Sequence, residues 1–271
     1  MASQVDWLKY FPGRKPEQWS PVTGCRPDFP CWGRCWARAM ATRFWKGWGL
    51  DEKEPFKPTW HEDWLEKPER WRTPRVVFCC GLGDLFAEGV EDWMIEQVWY
   101  TICVCPQHLF ILLTKRPERM LRWSQVNKPC RWFPTYHEGW PENVIVGVSA
   151  STQADLDARL PVLLEVPAVR RMVSLEPLLE GVSFHWVGAY EQAGWKPPVN
   201  HLDGLRGLDW VVAGGESGPG ARRDDADWYR VLRDECAGAG VPFFLKQMWV
   251  DGKLAHVPEI DGVRYVAVPG V

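Results

Sequence analysis

Short apolar runs alternate with longer amphipathic segments along most of this chain. A β-rich run over residues 75–80 ends in Gly-Leu-Gly-Asp, and apolar residues at helical spacing follow over 91–104. The same order recurs several times, which is typical of parallel βα units. The further strand-like runs are 108–114, 143–148, 171–174, 209–213 and 241–245, and the clearest further helical segments are 155–165 and 225–237.

The amino-terminal part fits the same scheme. A short strand near 21–24 leads into a cysteine loop, and a helix is predicted over 35–45. With this unit, the pattern predicts an α/β protein: a single partial (β/α) TIM-type barrel of about six to seven parallel strands over residues 1–250. The segment 180–208 is interpreted as an insertion that replaces one helix. A turn at 260–263 predicts a C-terminal hairpin within the extension 251–271.

Polar and glycine residues follow the predicted strands at the points where these end. Because the carboxyl ends of parallel strands converge on one face of a barrel, where ligands bind, we expect these residues to lie together beside the cysteine loop. The residues are Asp84, Lys115, Ser149, Ser151, Glu176, Gly214, Gly215, Glu216 and Lys246.

Composition and charge narrow the function classes. Hydrophobic residues make up 46% and charged residues 25% of the chain, as in ordinary soluble proteins. No apolar run approaches the roughly 18 residues of a membrane span, and the N-terminus lacks a signal-peptide core, so we expect a cytoplasmic protein. The formal net charge of −3 provides no overall attraction to nucleic acid, but a local groove can still be basic.

The 19 tryptophans are an unusual feature of the composition. Trp93, Trp99 and Trp210 fall at apolar positions of predicted elements, and we expect them in the core. Trp36 follows the cysteines, where an aromatic face could stack on a base.

Cys25, Cys31 and Cys35 form a C-x5-C-x3-C motif on one predicted loop. Three thiolates can bind three irons of a [4Fe–4S] cluster, which leaves the fourth iron for S-adenosylmethionine (SAM). A structural zinc site would need a fourth ligand from Cys79, Cys80 or a distant histidine, and plain thiols without metal are the third alternative. The absence of a secretion signal argues against a disulfide framework, so the cysteines among apolar neighbours are expected to be buried free thiols. They are Cys79, Cys80, Cys103, Cys105 and Cys236.

Several motifs together resemble one known family over about residues 18–250. They are the segments 19–25, 35–38, 83–86, 112–120, 174–179, 214–220 and 243–247. These segments resemble the phage-associated three-cysteine proteins, a group similar to radical SAM enzymes. In that family's pattern the middle cysteine stands one position away from Cys31.

The resemblance implies a radical SAM enzyme that is encoded by a phage or prophage, acts in a bacterial host and has a companion protein. Its substrate is expected to be a DNA base or nucleotide. In this interpretation Cys25, Cys31 and Cys35 are the metal ligands.

The strand-end residues are candidates for the other roles. Asp84, Ser149 and Ser151 are expected to contact SAM, and Gly214, Gly215 and Glu216 resemble a glycine-rich SAM-contact sequence. Lys115, with Arg116, is a candidate for binding a phosphate or the SAM carboxylate. Lys246 and Glu176 are catalytic candidates, as a proton relay or substrate contact.

Other interpretations remain open. Lys246 could form a buried ion pair with Glu176 or Glu216, the glycines could form a plain turn, and Lys115 could lie in a solvent-exposed loop. The alternative function is a zinc-stapled, tryptophan-rich module that binds nucleic acid or protein without catalysis. A metal-independent hydrolase ranks last, because no nucleophile–base pair is recognisable.

Overall fold

The computed structural model describes residues 5–26, 33–127, 140–185, 203–218 and 220–270. The chain forms two compact units. The first comprises Met1–Ser3 and Gly13–Val144, and the second comprises Gln4–Pro12 and Ile145–Val271. None of the helices in the described ranges is long and apolar enough to cross a membrane.

The first unit contains three parallel strands in the order β1-β4-β5. The strands are β1 (Lys15–Trp19), β2 (Val22–Thr23), β3 (Thr59–Trp60), β4 (Arg75–Cys79) and β5 (Leu109–Thr114). The helices are α1 (Trp36–Phe44), α2 (Glu62–Leu65), α3 (Asp92–Val104) and α4 (Pro117–Asn127), with a 3-10 turn at Pro68–Arg70. Five of the six β5 residues are buried, as expected of a strand covered on both faces.

A short strand is present near 21–24 as predicted, but it is not the first parallel strand. Residues 22–23 form β2, which pairs with β3 in an antiparallel manner, whereas the parallel strand next to β4 is β1. Most of β1 is exposed or half-buried, and only Trp19 is buried. Because β1 stands at the end of the strand order, it needs no continuous apolar run, and its polar residues gave no strand signal.

The second unit contains five strands in the order β6-β7-β8-β9-β10. They are β6 (Val144–Ser149), β7 (Arg170–Leu175), β8 (Trp210–Gly214), β9 (Phe243–Val250) and β10 (Lys253–His256). The first four are parallel, and β10 is antiparallel to β9. The helices are a 3-10 helix at Asp6–Tyr10, α5 (Gln153–Glu165), α6 (Asp203–Arg206) and α7 (Ala226–Ala239).

The α/β class is confirmed, since the strands are mostly parallel and alternate with helices. Three parallel strands in the first unit and four in the second agree with the expected number. The C-terminal hairpin is also confirmed, because β11 (Glu259–Ile260) and β12 (Val263–Arg264) are antiparallel. Much of the predicted insertion 180–208 lies outside the described residues.

Aromatic side chains form part of each core. In the second unit Trp210 packs edge-on against Trp7 and Phe11, with ring centroids 5.2 and 5.4 Å away. In the first unit Trp99 is fully buried and stacks on Trp123. The prediction that Trp93 lies in the core was wrong. Its side chain is 46% exposed, and its indole N–H donates to the Glu91 carboxylate at the protein surface.

Candidate functional site

The first part of the cysteine loop is fixed by close backbone contacts within the first unit. Gly24 has φ +88°, and a Cβ atom there would lie 2.3 Å from the Lys57 carbonyl oxygen, so only glycine fits. The Gly24 N–H donates to the Leu82 carbonyl, and the Gly24 carbonyl accepts from the Asp84 N–H. Gly83 is equally constrained, because a Cβ atom there would lie 2.5 Å from the Gly24 oxygen. The loop therefore begins directly against the segment that follows β4.

The structure describes two of the three motif cysteines, Cys25 and Cys35, and both contact the same apolar cluster. Cys25 and Cys35 are free and partly exposed. Both pack against an apolar cluster, and Cys25 is further held by its N–H, which donates to the Phe56 carbonyl at 2.9 Å. The cluster consists of Ala37, Ala41, Leu50 and Phe56. Cys31 lies outside the described residues, so its part in the motif stays a prediction.

Asp84 joins the ends of β4 and β5 through its carboxylate. Oδ1 accepts hydrogen bonds from the Thr114 hydroxyl at 2.8 Å and the Phe86 N–H at 2.9 Å. Oδ2 accepts from the Lys115 N–H at 3.1 Å and from Arg116 Nη1 at 3.0 Å. Both carboxylate oxygens are therefore occupied by protein donors, and the Asp84–Arg116 ion pair is largely buried.

Arg116 connects this ion pair to the cysteine loop. The same Nη1 that faces Asp84 also donates to Cys25 Sγ at 3.3 Å. Burial and the nearby Asp84 charge raise the pKa of the Cys25 thiol, and Arg116 opposes this rise. Sequence reasoning named Arg116 only as a companion of Lys115, because 91 residues separate it from Cys25.

Lys115 contacts Asp84 through its backbone. Its N–H donates to Asp84, whereas its ammonium has no ion-pair partner among the described residues. Arg116 also lines an open cavity of about 320 Å³. It is lined by Phe86, Glu88, Gly89, Arg116, Glu118, Arg119 and Arg122.

The two predicted catalytic residues meet in the second unit. Lys246 Nζ lies 2.7 Å from Glu176 Oε1, and both side chains are mostly buried. Glu176 Oε2 accepts from the Trp7 indole N–H at 3.3 Å and from the Ser174 hydroxyl at 3.2 Å. Gly214 lies next to this pair, since a Cβ atom there would be in van der Waals contact with Glu176 Oε1 at 3.5 Å. The ion pair that sequence reasoning left open is thus present.

The Gly214-Gly215-Glu216 segment is held by its own contacts. Glu216 is 7% exposed and accepts two hydrogen bonds from the Arg222 guanidinium, at 2.9 and 3.0 Å. Its carbonyl accepts from the Trp249 indole N–H. A Cβ atom at Gly215 would lie 1.9 Å from Asp224 Oδ2, so the chain requires glycine there. The segment leaves the end of β8 and ends in an ion pair between the buried Glu216 carboxylate and the half-exposed Arg222.

Ser149 and Ser151 form hydrogen bonds with neighbouring residues through their main-chain groups. The Ser149 carbonyl accepts from Arg159 Nη1, and the Ser151 N–H donates to Asp155 at 3.1 Å. The Ser151 carbonyl accepts from the Leu179 N–H. The candidate residues therefore fall into one group in each unit, and their convergence on a single face stays a prediction.

The other cysteines behave mostly as expected. Cys79, Cys80, Cys105 and Cys236 are free and buried, and burial raises the pKa of Cys80, Cys105 and Cys236 to about 12. Cys103 is disulfide-bonded, so the expectation that it is a free thiol was wrong. Over the ranges that the structure describes, no group of three or more His, Cys, Asp or Glu side chains is placed to hold a metal ion.

These features define a mixed α/β protein in which a cysteine loop is held against a buried Asp–Arg pair. The chain belongs to the family described as protein of unknown function (DUF5131), which it matches over residues 4–268. No curated protein and no solved structure matches it.

Proposed function

We propose that the protein is a radical SAM enzyme whose [4Fe–4S] cluster is held by Cys25, Cys31 and Cys35 on a partial (β/α) TIM-type barrel. The observation that carries the proposal is the placement of Cys25 and Cys35. Among the described cysteines, these two are partly exposed and form no disulfide, and both pack against the same apolar cluster. The remaining free cysteines in the described ranges are buried.

The residues fit such a cluster in donor chemistry and in their setting. Thiolates are soft ligands that suit iron–sulfur clusters, and the neighbouring apolar cluster limits access of water to the site. The Arg116 guanidinium next to Cys25 partly offsets the rise in thiol pKa that burial and Asp84 cause, and so lowers the cost of the deprotonated sulfur that a metal requires. When bound, the cluster and SAM supply a one-electron cleavage that releases methionine and a 5′-deoxyadenosyl radical, which removes a hydrogen atom from the substrate.

The first unit supplies the anion-binding groups in this proposal. Since four protein donors already occupy the Asp84 carboxylate, Asp84 acts by holding Arg116 and the Lys115 backbone. The Lys115 ammonium then binds the SAM carboxylate or a substrate phosphate. The cavity beside Arg116 is of the size that small ligands use.

The second unit supplies a proton-handling pair and further SAM contacts. Glu176 and Lys246 lie 2.7 Å apart and are proposed as the relay to the substrate. We propose Ser149, Ser151, Gly214 and Gly215 as SAM contacts, with Glu216 holding its segment in place through Arg222. The proposed substrate is a DNA base or nucleotide in the cytoplasm of a bacterial host, which agrees with the phage-family resemblance, and a companion protein is proposed as partner.

The test is metal analysis of the protein purified without oxygen. We expect a brown protein with about four irons and four sulfides per chain. Cys35→Ala should lose both colour and iron, because the substitution removes a cluster ligand. Cys236→Ala is the matched control: it removes a free but fully buried thiol and should retain the iron.

A colourless wild-type protein with one zinc per chain would reject the proposal in favour of the non-catalytic binding module. The 44% exposure of Trp36, directly after Cys35, is the observation that favours this alternative, because exposed aromatic rings stack on bases. If the protein is brown, reductant and SAM are added, and formation of 5′-deoxyadenosine is measured. A brown protein that makes none is not a radical SAM enzyme.

A further inference from the structure

We infer that Arg116 is a positioning residue that raises the reduction potential of the cluster by donating an N–H···S hydrogen bond to its ligand Cys25. This inference rests on the proposed function and adds a residue that tunes it. The observation is that one guanidinium nitrogen, Nη1, lies 3.3 Å from Cys25 Sγ and 3.0 Å from Asp84 Oδ2.

The pair is shielded from solvent. The Arg116 and Asp84 side chains are 12% and 8% exposed, so mobile ions screen their charges little. Reduction adds one negative charge to a cluster. A fixed positive charge and a hydrogen bond at a ligand sulfur stabilise that charge, and both are known determinants of cluster potentials.

The arrangement is built by the polypeptide before any cluster is present. Asp84 is oriented by Thr114, Phe86 and Lys115, and the Arg116 N–H donates to the Thr114 hydroxyl at 2.9 Å. These residues follow β4 and β5, so the ends of two parallel strands aim the guanidinium. Such preorganisation keeps the hydrogen bond in one geometry, which is how surrounding residues orient metal ligands.

Substitutions of Arg116 and of Asp84 are expected to shift the reduction potential of the cluster in opposite directions. Arg116→Gln removes a positive charge and leaves the Asp84 carboxylate, so the cluster becomes harder to reduce. Asp84→Asn removes the negative charge and leaves the guanidinium, so the cluster becomes easier to reduce. If the pair only held the fold together, both substitutions would damage the site in the same way.

The experiment is a redox titration of the cluster-loaded full chain, monitored by visible absorbance and electron paramagnetic resonance. At a fixed applied potential, we expect the ratio of reduced to oxidised cluster to fall about tenfold in Arg116→Gln, which is 59 mV for a one-electron couple. It should rise in Asp84→Asn. Arg72→Gln is the matched control, since it removes the same charge from an exposed position of the first unit outside the candidate site, and its ratio should stay within twofold of wild type.

Each other outcome has a defined meaning. Equal potentials in wild type and Arg116→Gln at equal iron content, or shifts of both variants in one direction, overturn this inference alone. A wild-type protein without iron overturns the proposed function and this inference with it. If Arg116→Gln does not hold a cluster, Asp84→Asn decides: an unchanged or lowered ratio overturns the inference.

Discussion

At the scale of single residues, the Asp84 carboxylate is held by four protein donors. These donors are one guanidinium, one hydroxyl and two backbone N–H groups. A buried carboxylate is tolerated only when such donors compensate for its lost hydration. Asp84 is therefore required to hold the ends of β4 and β5 together, whichever ligand the site binds.

We predict that Asp84→Ala lowers the free energy of unfolding by about 3–5 kcal/mol, because it leaves the Arg116 charge buried without its partner. Urea denaturation of the metal-free protein measures this. Glu66→Ala is the control: it breaks an ion pair with Arg70 in which both side chains are well exposed, and it should cost at most about 1 kcal/mol. Equal losses in the two variants would contradict the prediction.

At the scale of elements, the C-terminal hairpin is tied to α7 by one carboxylate. Asp261, in the turn between β11 and β12, accepts hydrogen bonds from Arg230 and Arg233 of the helix. These two arginines lower the pKa of Asp261 to about 2. Helix α7 itself has an Asp225 N-cap and ends at Gly240 with φ +75°, so its carboxyl end is where the sequence predicts it.

The pKa of Asp261 predicts a pH dependence of stability. Its folded-state pKa lies below the value of about 3.9 in an unfolded chain, so its stabilising contribution is present above about pH 4 and is lost as the pH falls towards 2. Asp261→Asn should therefore be less stable than wild type at pH 6, and the difference should shrink towards pH 2. Thermal unfolding at a series of pH values measures this.

Asp251→Asn serves as the matched control for this experiment. Asp251 also has a positive φ, which asparagine tolerates, but it has no hydrogen-bond or ion-pair partner within the described residues. Its variant should follow the wild-type pH profile. A constant difference between Asp261→Asn and wild type from pH 2 to 6 would show that the ion pairs do not contribute.

At the scale of the whole molecule, binding of SAM should stabilise the folded chain. A ligand at 100 times its Kd adds about 2.7 kcal/mol to the free energy of unfolding. Under the proposed function, we predict that SAM raises the Tm of the cluster-loaded protein and that Lys115→Ala reduces this rise, because the proposal assigns the SAM carboxylate to the Lys115 ammonium. Lys253→Ala, on exposed β10 surface, is the control and should show the wild-type rise. The same rise in all three proteins would remove Lys115 from the proposed site.

Much of the fold was predictable, for a reason seen in particular strands. The strands predicted over 75–80 and 108–114 are present as Arg75–Cys79 and Leu109–Thr114, because buried parallel strands require continuous apolar runs. β1 was missed because its half-buried positions tolerate Pro16, Glu17 and Gln18. Trp93 was misplaced because apolar spacing alone does not tell which large residues a helix leaves at the surface.

The sequence predicted which residues belong to the candidate site, but it did not predict which of them contact one another. Predicted strand-end position selected Asp84, Glu176 and Lys246, because polar residues just after apolar runs stand out in the sequence. For Lys246 the predicted position was wrong, since β9 continues through it to Val250. It did not show that Glu176 pairs with Lys246 or that Trp7 donates to the same carboxylate. These partners come from segments 70 or more residues apart, and no local pattern encodes which distant groups meet.

The sequence by itself determined the α/β class, most strand positions and the three-cysteine spacing, because these depend on local periodicity and residue chemistry. Only the tertiary structure decided that Arg116 faces both Cys25 and Asp84. A hydrogen bond requires two atoms about 3 Å apart, and for residues on three separate segments this distance depends on how the strand ends and the loop pack. Packing therefore makes Arg116 the centre of the candidate site.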